Sequence, residues 1–241
     1  MIPGMVSLLR RLYPEPAMAT TPREAYDVPR AMQRGSAGPR PWVSLCMIAS
    51  LDGAVVVDGL SGPLGNATDR EVLLSLRELA DVVLVGAGTA RGEGYGPPAK
   101  PGLRVGVVTN SGSIDLSSRL FSSGAGFVIA PEAADLDGTA VDVLRAGGQQ
   151  VNLALALSRL DSVVPGARVV QAEGGPTLNA GLLAIDAIDE LNLTISPRLA
   201  GGDSPRVVHG AAALDARFEL AHLLADEDRF VFGRWVRDGR L

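Results

Sequence analysis

From Trp42 onward the chain alternates short apolar, β-branched segments with segments of helical period, and no other feature constrains the fold as strongly. Strands are expected over 43–50, 82–85, 104–109, 126–129, 168–172 and 191–195. Their unbroken apolar character implies strands covered on both faces, as in a mostly parallel sheet. Two further strands, 218–224 and 229–237, flank Ala225-Asp226-Glu227-Asp228 and read as a terminal hairpin with alternating polarity. Three helices are expected between strands. Thr68-Asp69-Arg70-Glu71 reads as a capping box followed by the apolar stripe Val72, Leu76, Leu79. Asp137 reads as the cap of a helix presenting Val141 and Leu144 and ending at Gly147-Gly148. Pro176 suits a first helical position, with Leu178, Leu182 and Ile185 as the buried stripe. The fold class is therefore α/β.

Residues 1–40 carry Pro3, Pro14, Pro16, Pro22, Pro29 and Pro39 and little periodicity, so they read as an irregular extension ahead of a single domain, 41–241. Twenty-two Lys and Arg against 27 Asp and Glu give a net charge of −5, with no basic run interleaved with aromatics, which argues against a nucleic-acid partner. The lone cysteine, Cys46, forms no internal disulfide, and neither it nor His209 and His222 has the spacing of a zinc site, so no metal is expected. No apolar run reaches the ~18 residues of a membrane span, and a cytoplasmic protein is expected.

Two glycine-rich blocks follow apolar strands. Gly86-Ala87-Gly88-Thr89-Ala90-Arg91-Gly92 is either a tight turn or a loop whose amides approach a pyrophosphate. Glu173-Gly174-Gly175-Pro176-Thr177-Leu178 is either a plain strand-to-helix turn or an anion site at a helix N-terminus. Two such blocks at strand ends favour one shared crevice at the carboxyl edge of the sheet, with a dinucleotide as ligand. The strand ending at Thr109 is followed by Asn110 and Ser111, not by the carboxylate an NAD ribose prefers, so NADP is favoured. Ala49-Ser50-Leu51-Asp52-Gly53 is a turn or the floor of that crevice. On the capped helix, Asp69 suits the dipole and Arg77 either pairs with Asp81 at i+4 or contacts a polar ligand.

These blocks, with Leu76-Arg77-Glu78-Leu79-Ala80-Asp81, Asp189-Glu190-Leu191, Ser196-Pro197 and Gly201-Gly202, resemble the reductase domain of bacterial bifunctional riboflavin-biosynthesis deaminase/reductases from about Pro41 to the C-terminus. The resemblance implies a dihydrofolate-reductase-like fold, usually a homodimer, that reduces a phosphoribosylamino-pyrimidine with NADPH. It places Ile48, Ala49, Gly86, Gly88, Thr89, Thr109, Ser111 and Glu173, Gly174, Gly175, Pro176, Thr177, Leu178 at the cofactor. Glu93 stands near cofactor and substrate, where the family has Asp, and Asp52, Ser61 and Arg77 stand on the substrate side. Asp69 resembles the carboxylate by which dihydrofolate reductases hold a pterin, so Asp69 and Glu93 are the catalytic candidates. The chain departs from the family at Cys46, where a lysine is usual, at Pro63, where a tryptophan is usual, and at Glu93-Gly94-Tyr95 in place of Asp-Asp-Pro. It also lacks the deaminase zinc pattern. Two alternatives accompany the reductase reading: a dihydrofolate or dihydropterin reductase on the same fold, and a non-catalytic NADP- or flavin-binding module.

Overall fold

Alternate residues of each central strand enter different cores, which is what burial on both sheet faces demands. Val83, Val85, Val105, Val107 and Val128 pack on one face with Leu120 and Phe121. Val82, Leu84, Phe127, Ile129, Val170 and Ala172 pack on the other with Leu157, Leu178 and Leu182. The computed structural model describes residues 7–30, 40–210 and 212–239. In chain order the elements are β1 (Leu9–Tyr13), β2 (Ala17–Thr20), α1 (Pro22–Tyr26), β3 (Trp42–Ala49), α2 (Ala67–Leu79), β4 (Val82–Gly86), α3 (Ala87–Gly92), β5 (Arg104–Val108) and α4 (Arg119–Ser122). There follow β6 (Gly126–Ala130), β7 (Val143–Arg145), α5 (Leu153–Arg159), β8 (Val169–Ala172), α6 (Pro176–Ala184), β9 (Glu190–Ile195), β10 (Phe218–Ala225) and β11 (Val231–Arg237).

One sheet holds them all, in the order β2-β1-β10-β11-β9-β3-β8-β4-β5-β6-β7. Every pairing from β9 to β7 is parallel, and those among β9, β11, β10, β1 and β2 are antiparallel. This is the expected mixed, mostly parallel sheet flanked by helices, with the terminal hairpin in place. Gly106 on β5 is a packing requirement, because a Cβ there would lie 2.6 Å from the Phe127 ring and 2.8 Å from Leu84.

The amino-terminal segment departs from the expectation of irregular chain. Residues 1–6 and 31–39 lie outside the described residues, but 7–30 extend the sheet and cover it. Pro14 and Pro16 sit between β1 and β2, and Pro22 opens α1, so these prolines punctuate elements where their missing N–H costs nothing. Thr21 and Glu24 form a reciprocal capping box on α1. Leu9 and Tyr26 are buried in a third core with Ile48, Leu64, Val72, Leu76 and Phe232.

Three helix expectations also change. The stretch after Asp137 is not helical: it runs as loop into β7, whose parallel pairing with β6 outweighs a weak i, i+3 pattern. Helix α2 begins one residue before Thr68, which is itself buried, and its cap is Asn66, whose side chain accepts the Asp69 N–H at 2.9 Å. The Asn66 amide also donates to Asp226 and Asp228, fastening the β10–β11 turn. Asn66→Ala is expected to cost about 1 kcal/mol, read as a lower urea midpoint at constant slope. Ile185 lies beyond the end of α6 and is 40% exposed, outside the buried stripe.

Candidate functional site

The carboxyl ends of β3, β8, β4 and β5 lie side by side, so the loops that follow them form one edge. At its centre the Glu173-Gly174-Gly175 turn leaves β8 and is stitched to β4: Glu173 N–H donates to Leu84 O at 2.9 Å, and Gly86 N–H donates to Gly174 O at 2.7 Å. Gly174 has φ +82, a conformation open to glycine, and the Gly174–Gly175 peptide is cis. A Cβ on Gly175 would stand 2.5 Å from Thr89 Oγ1, and one on Gly86 would stand 3.3 Å from Gly175 N. The turn, Gly86 and Thr89 therefore meet, joining both glycine-rich blocks as expected. Gly86-to-Gly92 is not a loop, however: Gly86 ends β4 and the rest is α3, with open space around Gly88. Pro176 begins α6, which has no side-chain cap. Thr177 is exposed on its first turn, and Leu178 turns into the core.

On the α2 face of the sheet lies a group of charged side chains. Glu173, with a side chain only 3% exposed, accepts Arg77 Nε at 2.7 Å and Arg77 Nη2 at 2.6 Å. It also accepts the Tyr95 hydroxyl at 2.6 Å and Gln171 Nε2 at 2.9 Å. Arg77 thus pairs with Glu173 and not with Asp81, whose carboxylate accepts the Arg168 and Val169 amides. Cys46 on β3 sits among these groups. Burial pushes its thiol well up, and the charges of Asp69 and Glu173 add to that. Asp69, in the first turn of α2, is bonded to Thr194 on β9, yet burial outweighs that bond and raises its carboxyl above the ordinary range. A group of this kind holds a proton at higher pH than a surface aspartate.

The remaining expected residues are placed as follows. Ser61 and Glu93 meet, but through the Ser61 N–H, which donates to Glu93 Oε1 at 2.7 Å. Asp52 clasps a neighbouring loop: it accepts the Ser50 hydroxyl and the amides of Ala200 and Gly201 at 3.1 and 2.7 Å, and these bonds, led by Ser50, lower its pKa to about 2. Ile48 and Ala49 are buried at the end of β3. Thr109 Oγ1 accepts Gly112 N–H, Ser111 Oγ accepts Ser113 N–H, and Asn110 Oδ1 accepts Val151 N–H, so each of the three shapes the loop after β5. Among the described residues no three His, Cys, Asp or Glu side chains are grouped to hold a metal ion, and no helix is long and apolar enough to cross a membrane.

Sequence reasoning did not single out Tyr95, Gln171, Thr194 or Asn179 as site residues. Gln171 and Glu173 carried a legible signal, two polar side chains at i, i+2 on one face of an otherwise apolar strand. Asn179 is fully buried under the Gly174 turn and donates to Val207 O at 2.7 Å. Only the fold brings Tyr95 to Glu173.

The model of the RibD C-terminal domain matches residues 41–232. The 2,5-diamino-6-ribosylamino-4(3H)-pyrimidinone 5′-phosphate reductase of Methanothermobacter thermautotrophicus is 28% identical over 198 residues, covering 76% of this chain and 90% of that protein. Among solved structures, a pyrimidine reductase-like protein from Corynebacterium diphtheriae superposes with a TM-score of 0.77 at 24% identity, over 90% of this chain and 99% of the other. RibD of Acinetobacter baumannii gives 0.71 at 19% identity, over 85% of this chain and 60% of that one. Rib7 of Saccharomyces cerevisiae gives 0.66 at 20% identity, over 83% and 91%. These structures share the fold.

Proposed function

The chain belongs to the RibD C-terminal domain family, and from that premise we propose that it is an NADPH-dependent oxidoreductase acting on a phosphoribosylamino-pyrimidine, the substrate class in the name of its Methanothermobacter relative. The observation that carries the reading is the pairing of the Gly174-Gly175 turn, backed by Gly86 and Thr89, with the Asp69, Arg77 and Glu173 side chains across the α2 face. The turn suits a dinucleotide: a cradle that a Cβ would fill lies at the start of a helix without a side-chain cap. When bound, NADPH supplies hydride to the open ribose imine or carbonyl, giving a ribitylamino product.

The protein's share is binding and placement. Backbone amides of the turn and the first turn of α6 would hold the cofactor's pyrophosphate, and Thr109 and Ser111, in the loop after β5, would complete its binding site. Glu173 holds Arg77 against the substrate's phosphoribosyl part, and Glu93 keeps the Ser61 loop beside it. Asp69, with its raised carboxyl, bonds the heterocycle or holds the proton that the product requires. Residues 41–241 form the reductase unit in this reading, with 7–30 as an integral addition. A homodimer acting on a small-molecule substrate in the cytoplasm is part of the same proposal.

Purified protein is expected to oxidise NADPH with the phosphoribosylamino-pyrimidine and not with dihydrofolate, each against a control without acceptor. The half-buried Asp69 beside Thr194, with its raised carboxyl, favours a second reading, reduction of a dihydropterin. Asp69→Asn is expected to lower kcat at least about tenfold with whichever acceptor is used, as loss of a positioned acid does. If dihydrofolate alone turns over, and Ser61→Ala leaves that turnover intact, the second reading replaces the first. Tight NADPH binding with no acceptor would mark a binding module.

A further inference from the structure

Tyr95 touches both members of the Arg77–Glu173 pair. Its hydroxyl donates to Glu173 Oε2 at 2.6 Å, and the Arg77 guanidinium carbon lies 5.4 Å from its ring centroid. Two residues earlier, Glu93 accepts the Ser61 N–H, and Gly94 between them has φ +62, so the loop makes a tight bracket with one foot on Ser61 and the other on Glu173. Arg77 commits Nε and Nη2 to Glu173 and makes no hydrogen bond through Nη1 to any described residue, while its side chain stays 20% exposed. A guanidinium is planar with donors in a fixed fork, so anchoring one edge sets the direction of the other.

We infer that Tyr95 is a positioning residue: through Glu173 it aims the remaining edge of Arg77 as the receptor for a phosphate group on the substrate. The inference rests on the reductase reading for its substrate but not for its geometry. Gln171 fixes Glu173 from the strand beneath, and Arg77 fixes it from α2. Tyr95 is the donor that ties the carboxylate to the loop after α3. Without that donor the carboxylate can rotate, and the guanidinium follows.

The test is calorimetric binding of ribose 5-phosphate and, separately, of NADPH to the wild-type protein, Tyr95→Phe, Arg77→Lys and the double variant. Tyr95→Phe keeps the ring and removes only the hydroxyl, and circular dichroism checks that it is folded. The expected result is ribose 5-phosphate binding that weakens roughly fivefold or more in Tyr95→Phe, in line with a lost charge-assisted bond. NADPH affinity should stay within about twofold, because the backbone bonds that hold the turn, Glu173 N–H to Leu84 O and Gly86 N–H to Gly174 O, do not involve the Tyr95 hydroxyl. In the Arg77→Lys background, where the fork is gone, Tyr95→Phe should cost nothing further. Equal binding by wild type and Tyr95→Phe, additive losses in the double variant, or no ribose 5-phosphate binding by the wild type would each overturn the inference. Failure of the wild type to bind NADPH would count against the reductase reading alone, since the ribose 5-phosphate series is read without it.

Discussion

Replacing Glu190 by Gln is expected to destabilise the protein by about 3–5 kcal/mol, the usual consequence of removing one partner from a buried ion pair. Glu190 is fully buried on β9 and serves two arginines: Arg30 at 2.8 Å and Arg234 at 2.9 Å, with side chains 3% and 5% exposed. Ser44 and Asn192 also donate to it. Burial opposes ionisation of this carboxyl, but the two guanidinium groups outweigh it and bring its pKa to about 2. In Glu190→Gln both arginines lose their shared carboxylate inside the protein, and nearby His222, already lowered to about 4 by burial and Arg234, offers no anion in its place. Between the unfolded carboxyl value near 4.5 and the folded value near 2, the unfolded chain binds the extra proton, so stability falls as the pH is lowered. The wild type should lose this contribution progressively below about pH 5, whereas Glu190→Gln should show a flatter acid limb in urea unfolding. Coincident acid limbs would mean that Glu190 contributes no net ionised stabilisation. Because Arg30 lies in the segment ahead of β3, the same experiment measures how firmly that segment belongs to the domain.

Gly175→Ala is expected to weaken NADPH binding on the order of a hundredfold. The added methyl would lie 2.5 Å from the β-branched Thr89 hydroxyl, which has little freedom to withdraw, so the turn itself must shift. Losing two amide bonds to a charged pyrophosphate costs about 3 kcal/mol, which is roughly that factor. Fluorescence titration of NADPH reads the result directly. Thr89→Ala in the same chain should restore part of the affinity by removing the clash. Unchanged NADPH affinity in Gly175→Ala would remove the cofactor from this turn altogether.

Each glycine block was legible because its neighbours constrain it. An apolar strand such as Val82 to Val85, followed by glycine and then a helix-compatible run, leaves few structures besides a strand-end turn. Pro176 marked the start of α6 for the same local reason. The cap of α2 was displaced by two residues, since Asn66 and Thr68 are both competent caps and only packing of Thr68 against the core chose between them. The stretch after Asp137 failed because Val141 and Leu144 fit a helix as well as a strand, and β6 offered an open edge. The Thr21-Pro22-Arg23-Glu24 capping box was present in the sequence, hidden among prolines that read as breakers.

By itself the sequence determined the α/β class, eight of the strands, the glycine turn at the start of α6 and the acidic balance, because each depends on neighbours within a few residues or on composition. The tertiary structure decided who partners whom. Arg77 is 96 positions from Glu173, Tyr95 is 78 from it, and Arg30 is 160 from Glu190. A charged residue in a sequence carries no record of its distant partner. Arg77 had a local candidate in Asp81, and only the burial of Glu173 between α2, β8 and the loop after α3 made the distant pair the stronger one. A carboxylate shut away from water must take every donor that the fold brings to it.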